Sequence, residues 1–487
     1  MKNLFKPVYI VLILSLVLGE CKNPKNYDFV PAFLKLVPIF VKTNTAEELS
    51  FSSADSYDDN SFGLISFRKL NQIVNNWDKT KINQLNGKVV VLQIDTTGTS
   101  NGFFIPSSAQ RQVYSYYVYI NPNAVSTGIF GQSRNNGVLE TELIVPEGRV
   151  VDNFLGEYGI NPAQDYIVIA ADSSNQDSFL YSLRLYYTLR YWGLDKKNIA
   201  FLNGSVRQGV QLGEITASTS QNREIKQSFA SLKSLYTDNT ILQATVGDIY
   251  HAISNGTTTF ENVTSIPANG IQFVDARSSQ EYSPSTTTGI TVPNRSRTCP
   301  IGSNCKVPFE GRIRGAKRLE WSELLVSSST NDFRFKTKAE IKQTFQLRGV
   351  SETQTIIAYC DRGLRSNAIF FAAGAILGIP VRLYDASWIE WSSLAFDENG
   401  DGWSNLSGSS PWRSDRSGRT EGLTTTTPSN AIIRLSFQTA SAFSSSSYKT
   451  READKLYLRT VGSGSSSGGG GSSGSGASGG GGNACGG

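Results

Sequence analysis

The chain has 487 residues, of which 39% are hydrophobic and 18% charged, so it can bury two or three ordinary cores. Its formal charge of +5 is spread among 46 Lys and Arg with no basic run, which argues against nucleic acid as a partner. It contains one histidine, His251, which excludes a multi-histidine zinc site and obliges any imidazole-based mechanism to use that residue. His251 stands in ATVGDIYHAISNG, the pattern of an ordinary helix or turn, so the chemistry is expected to need no imidazole.

The first residues, MKNLFKPVYIVLILSLVLGEC, place Lys2 and Lys6 before an apolar run from Val8 to Leu18. The run is too short for a permanent membrane span and suits a secretory signal. Cys21 follows Leu18-Gly19-Glu20, which is similar to the lipobox of bacterial lipoproteins, although Glu20 stands where a small residue is usual. The expectation is export to the cell envelope, as a periplasmic or outer-membrane lipoprotein anchored through Cys21; plain signal cleavage is the alternative. Residues 22–68 read as a polar lead-in.

From residue 69 to 215, apolar strands alternate with amphipathic helices. KVVVLQID, DYIVIAAD and NIAFLNG are strand-length apolar runs, and LYSLRLYYTLRYWGL has helical spacing. This predicts a parallel sheet covered on both faces. Residues 234–395 repeat the plan: GIQFVDARSSQEY is a strand and turn, WSELL begins a helix, and TQTIIAYC is a buried strand. SNAIFFAAGAILGI then reads as a helix and VRLYDAS as a closing strand. A long-period duplication is the mark of a tandem of one fold. The fold class is therefore α/β: two tandem domains, each a mainly parallel sheet with helices on both faces, followed by an irregular extension over 396–461. Residues 462–487 are almost pure Gly and Ser and read as a flexible tail.

The stretch TIIAYC-DRGLR-SNAIFFAAG carries the chemistry. A buried strand ends at Tyr359, a tight loop runs Cys360-Asp361-Arg362-Gly363-Leu364-Arg365, and a helix starts near Ser366. A loop curled around a helix start aims several amides at one point, and a thiol held there is acidified without a base. Gly363 permits the tight turn, and Arg362 and Arg365 can bond an anionic sulfur donor. C-x4-R is tighter than the C-x5-R loop of cysteine phosphatases, which suits a sulfur atom better than a phosphoryl group.

C-x-R-G-x-R after a strand, with Tyr384-Asp385-Ala386-Ser387-Trp388-Ile389-Glu390-Trp391 following, resembles the rhodanese sulfurtransferases. Val274-Asp275-Ala276-Arg277 with Glu281-Tyr282 is similar to the family's Asp-x-Arg…Glu-Tyr opening. Gly311-Arg312-Ile313-Arg314-Gly315-Ala316 is similar to its Gly-His-Ile-x-Gly-Ala turn, with Arg312 for the histidine and, in the earlier block, Ala386 for a glycine. Phe154-Leu155-Gly156, Gly159-Ile160, the LRLYYTLRYWG helix and Phe201-Leu202-Asn203-Gly204 resemble the family's non-catalytic half, where Asp172 stands in the cysteine's place.

The resemblance implies that residues 69–215 are a non-catalytic and 234–395 a catalytic rhodanese-like domain. Cys360 would be the catalytic residue, with Asp361, Arg362, Gly363, Leu364, Arg365 and Arg277 around the substrate. It further implies sulfur transfer without a cofactor, from thiosulfate or 3-mercaptopyruvate to a thiol or cyanide acceptor through a Cys360 persulfide. The loop follows neither donor pattern of the family, since acidic Asp361 precedes basic Arg362. A surface lipoprotein using the fold as a binding scaffold is the alternative. Three further features stand apart. Cys299 and Cys305 bracket a turn-rich segment and could form a disulfide. Asp397, Asn399 and Asp401 have the spacing of half a calcium loop whose twelfth position is Gly408, so calcium or a plain Asx turn remain open. Cys485, in the tail, could accept sulfur or do nothing.

Overall fold

The computed structural model describes residues 41–79, 85–121, 127–135, 140–221, 230–254, 270–283, 311–394 and 449–459. Cys21, the Cys299–Cys305 pair, the calcium-loop residues and Cys485 lie outside them.

Two five-stranded sheets form the frame. The first contains β1 (Gly63–Ile65), β2 (Val89–Asp95), β3 (Val113–Tyr119), β4 (Tyr166–Ala171) and β5 (Ile199–Ser205), ordered β1-β5-β4-β2-β3 with every pair parallel. The second contains β6 (Gln243–Ala244), β7 (Ile271–Asp275), β8 (Lys317–Arg318), β9 (Thr355–Tyr359) and β10 (Val381–Tyr384), ordered β6-β10-β9-β7-β8, again all parallel. The two orders are one topology written twice, so the duplication read in the sequence is a duplication of fold.

Helices repeat in the same places. The first half has α1 (Phe67–Asn76), α2 (Gly148–Glu157), α3 (Gln176–Tyr191) and α4 (Val206–Gln211). The second has α5 (Val246–Ser254), α6 (Ser279–Tyr282), α7 (Lys338–Leu347), α8 (Ser366–Phe371) and α9 (Ser387–Leu394); a last helix, α10, spans Lys449–Arg459. Alternation along β2 shows why both faces of the first sheet are covered. Val89 and Val91 join Phe67, Leu70, Ile73 and Trp77 of α1 and its C-cap, while Val90, Leu92 and Ile94 join α2, α3 and the second half.

The halves meet through the helices that follow their fourth strands. Tyr186 and Tyr187 of α3 pack edge-on against Phe371 and Phe370 of α8, with ring centroids 4.8 and 5.1 Å apart. The buried faces of α3 leave almost no polar stripe, which is why this helix has to be sandwiched.

Three segments differ from the sequence reading. Residues 41–62, read as lead-in, are fastened to the second half: Ser53 Oγ donates to Ala375 O at 2.7 Å, Ser50 Oγ to Ile379 O at 3.1 Å, and Phe51 N–H to Gly374 O at 2.8 Å. Gly374 and Ala375 belong to a π-helical turn, Ala372–Ile376, that extends α8, and Ile379 follows it. The first sheet also starts at Gly63, before residue 69. WSELL forms a 3-10 turn, Trp321–Leu324, that leads into an antiparallel hairpin, and the helix comes later as α7. Finally, α10 lies within the stretch read as irregular. Its Arg451 reaches Asp248, while its Asp454 bonds Arg134 and Tyr191. His251 falls on α5.

Candidate active site

β9 is buried along its whole length and delivers Cys360 to the carboxyl end of the second sheet. Ligands of doubly wound sheets bind at that edge. The next six residues turn around the start of α8. Gly363 takes φ +73°, and a β-carbon there would lie 2.2 Å from the Asp385 carbonyl oxygen, so no other residue fits the turn. The loop is held from below by the start of α9. Cys360 N–H donates to Ser387 Oγ at 3.2 Å, and Ser387 Oγ donates to Tyr384 O at 2.8 Å. Trp388 N–H and Ile389 N–H donate to the carbonyls of Cys360 and Asp361 at 3.1 and 2.9 Å.

Cys360 is fully buried, and burial alone pushes its thiol pKa up. The Arg365 charge, the Ser366 hydroxyl 3.6 Å from Sγ, and the Ser366 and Arg362 amides outweigh that and hold it below the ordinary thiol value. The result is an acidified thiol whose anion is favoured by fixed donors in a buried site.

The arginines expected around the substrate are already engaged. Arg365 forms a two-pronged pair with Glu281 at 2.8 and 2.7 Å and also bonds Asp361 at 2.9 Å. Glu281, in turn, is fixed by capping α6 through Ser278. Arg277 is fully buried, bonds Asp275 through Nε at 2.9 Å and Nη2 at 2.7 Å, and lies 4.5 Å over the Trp388 ring. It therefore braces β7 against α9. Arg362 is the more exposed one, with Nε 3.4 Å from Asp361. Three guanidinium groups (Arg277, Arg362, Arg365) thus stand among three carboxylates (Asp275, Glu281, Asp361). Leu364 is half-buried and packs on the core. Arg312, where a histidine was the pattern, stacks 4.5 Å over Tyr282 and bonds Ser283 Oγ at 3.2 Å, leaving the cysteine loop undisturbed.

Sequence reading missed Ser366 and Ser387, whose hydroxyls touch Cys360. Ser387 adopts φ +57°, unusual for a residue with a β-carbon, and it sits in the quoted Tyr-Asp-Ala-Ser-Trp block, which was the available signal.

The model of the rhodanese-like domain matches residues 263–394, the stretch that contains β7 to β10 and the whole cysteine loop. Those residues are a rhodanese-like domain. The chain is 26% identical over 252 residues to thiosulfate sulfurtransferase of Cricetulus griseus, covering 51% of the chain and 70% of the relative. It is 37% identical over 86 residues to 3-mercaptopyruvate sulfurtransferase of Escherichia coli K12, covering 18% and 28%. It is 28% identical over 135 residues to the sulfur carrier protein TtuD of Thermus thermophilus, covering 28% and 42%. In the first half of the chain, Asp172 follows β4 as Cys360 follows β9. Its carboxylate accepts from Gln93 Nε2 and Asn101 N–H, both at 3.1 Å, and burial lifts its pKa to about 6.

Proposed function

We propose that this protein is a sulfurtransferase that moves a sulfane sulfur from thiosulfate or 3-mercaptopyruvate to a thiol or cyanide acceptor, with Cys360 as carrier. The observation that supports the reading is the Cys360 thiol, acidified by Arg365, Ser366 and loop amides. The Cys360 thiolate attacks the outer sulfur of thiosulfate; a new S–S bond forms, the old one breaks, and sulfite leaves with the electron pair. With 3-mercaptopyruvate the C–S bond breaks instead, and the carbon fragment keeps the pair and takes a proton as pyruvate. The acceptor nucleophile then attacks the outer sulfur of the persulfide and regenerates the thiolate, giving thiocyanate from cyanide or a new persulfide from a thiol.

The loop amides favour the anionic sulfur in both half-reactions, since each begins or ends as a thiolate. The near balance of charge around the loop gives no strong preference for a dianionic donor over a monoanionic one. Incubation with each donor followed by mass spectrometry is expected to add one sulfur atom to the Cys360 peptide, and cyanide to remove it. An unmodified Cys360 with both donors would favour the scaffold alternative.

Export and lipid attachment at Cys21 belong to the same reading. Metabolic labelling with a fatty acid should mark the wild type and not Cys21→Ser. Calcium at Asp397, Asn399 and Asp401 is tested by a thermal shift at millimolar calcium.

A further inference from the structure

Arg184 belongs to α3, in the half that lacks the cysteine, yet its guanidinium ends at the cysteine loop. It is 1% exposed. Nε donates to Phe130 O at 3.0 Å and Nη2 to Leu143 O at 2.6 Å, which fixes the group from its own half. Its two terminal nitrogens face the two carboxylate oxygens of Asp385, and Nη1 reaches the Gly363 carbonyl at 3.4 Å. Asp385 also accepts from Val145 N–H at 2.6 Å, another group of the first half.

Asp385 is where two supports of the cysteine loop converge. Its carbonyl oxygen is the wall against which the Gly363 turn lies, and one residue separates it from the α9 residues that bond Cys360 and Asp361. A fork that clamps both oxygens of Asp385 therefore fixes the turn and the underlying helix start together. Displacement of either by about 1 Å would spoil the aim of the amides at Sγ. Lysine offers a point charge and cannot make the same two-pronged contact.

We infer that Arg184 is a positioning residue for the sulfur chemistry, through which the cysteine-less half sets the geometry of the Cys360 loop. The inference rests on the reading of Cys360 as an activated thiol, and its test separates the two. In the full-length protein, the rate of Cys360 alkylation is followed against pH by peptide mass spectrometry, in wild type, Arg184→Lys and Arg184→Gln. Lys88→Ala, which deletes a buried pair with Asp165 at the opposite end of the first sheet, serves as a control for loss of stability alone.

Both Arg184 variants are expected to alkylate about tenfold more slowly near neutral pH, with the profile shifted by about one unit, while the control keeps the wild-type profile. Arg184 variants that are less stable but keep the wild-type profile would overturn the inference. If neither variant folds, Asp385→Asn supplies the same readout with the side-chain shape retained. An ordinary thiol profile in the wild type would instead remove the proposed function.

Discussion

Ser366 Oγ lies 3.6 Å from Cys360 Sγ, so the first residue of α8 supplies a hydroxyl donor as well as an amide to the sulfur. A hydrogen bond to a charged group contributes about 1.5–3 kcal/mol, and this one is long, so the lower end applies. Ser366→Ala is expected to raise the thiol pKa by about one unit and slow alkylation near pH 7 about tenfold. Stability should hardly change. An unaltered alkylation profile would show that the hydroxyl is idle.

Gly363→Ala tests the turn. The left-handed backbone costs a residue with a β-carbon about 1–2 kcal/mol, and the new methyl would meet the Asp385 carbonyl at 2.2 Å. The loop must open to relieve that contact. Sulfur transfer is expected to fall at least about a hundredfold, since a 1 Å misplacement is enough for such a loss. Retention of most activity would mean the amide cradle tolerates another path.

Removing Glu281 or Arg365 should have unequal effects on the thiol. Arg365→Gln leaves two carboxylates, Glu281 and Asp361, facing each other near Sγ, so the thiol pKa should rise and transfer should collapse. Glu281→Gln leaves Arg365 with Asp361 as a partner, and the thiol should stay acidic. Breaking a buried pair costs about 3–5 kcal/mol, so both variants should unfold in less urea than wild type. Equal thiol pKa values in the two variants would contradict the role given to the Arg365 charge.

Asp172 predicts an acid-side gain in stability. Burial raises its folded pKa to about 6, above the ordinary 3.8. The folded state therefore binds the proton more tightly than the unfolded one. The carboxylate weighs against folding above about pH 6, and that weight is relieved as pH falls from about 7 toward 4. The shift corresponds to about 3 kcal/mol as an upper bound, because solvent screens part of it. Urea midpoints should rise on mild acidification in the wild type, and Asp172→Asn should flatten that slope whatever its absolute stability. An equal slope in both proteins would assign the titration elsewhere.

The α10 helix predicts a cost for truncation. Asp454 pairs with Arg134 at 2.8 and 2.9 Å, Arg451 shares Asp248 with Arg382, and Leu458 is buried. Ending the chain at residue 448 would leave Arg134 without its carboxylate in a buried place. A loss of several kcal/mol in unfolding free energy is expected, with a smaller loss for Asp454→Asn. Unchanged urea midpoints in both would show that the helix merely rests on the surface.

The pattern of the chain announced its strands and its reactive loop because both are local. Continuous runs such as KVVVLQID and TIIAYC can only be strands buried on two faces, and six consecutive residues starting at Cys360 make the turn. The lead-in was misread for a physical reason. Ser50 and Ser53 look like linker residues in isolation, but their hydroxyls satisfy the carbonyls of Ile379 and Ala375, more than 300 positions away. The last helix was hidden similarly, since its anchoring residues are charged and only their distant partners make them interior.

Local order thus settled the repeated α/β plan and placed Cys360 at the head of the loop. What folding alone decided is where the charges go. Arg365 and Arg277, free cations on paper, close on Glu281 and Asp275, while Arg184 crosses from one half to meet Asp385 in the other, 201 positions later. Coulomb attraction in a dry interior depends on distance in space, and no spacing along the chain encodes it.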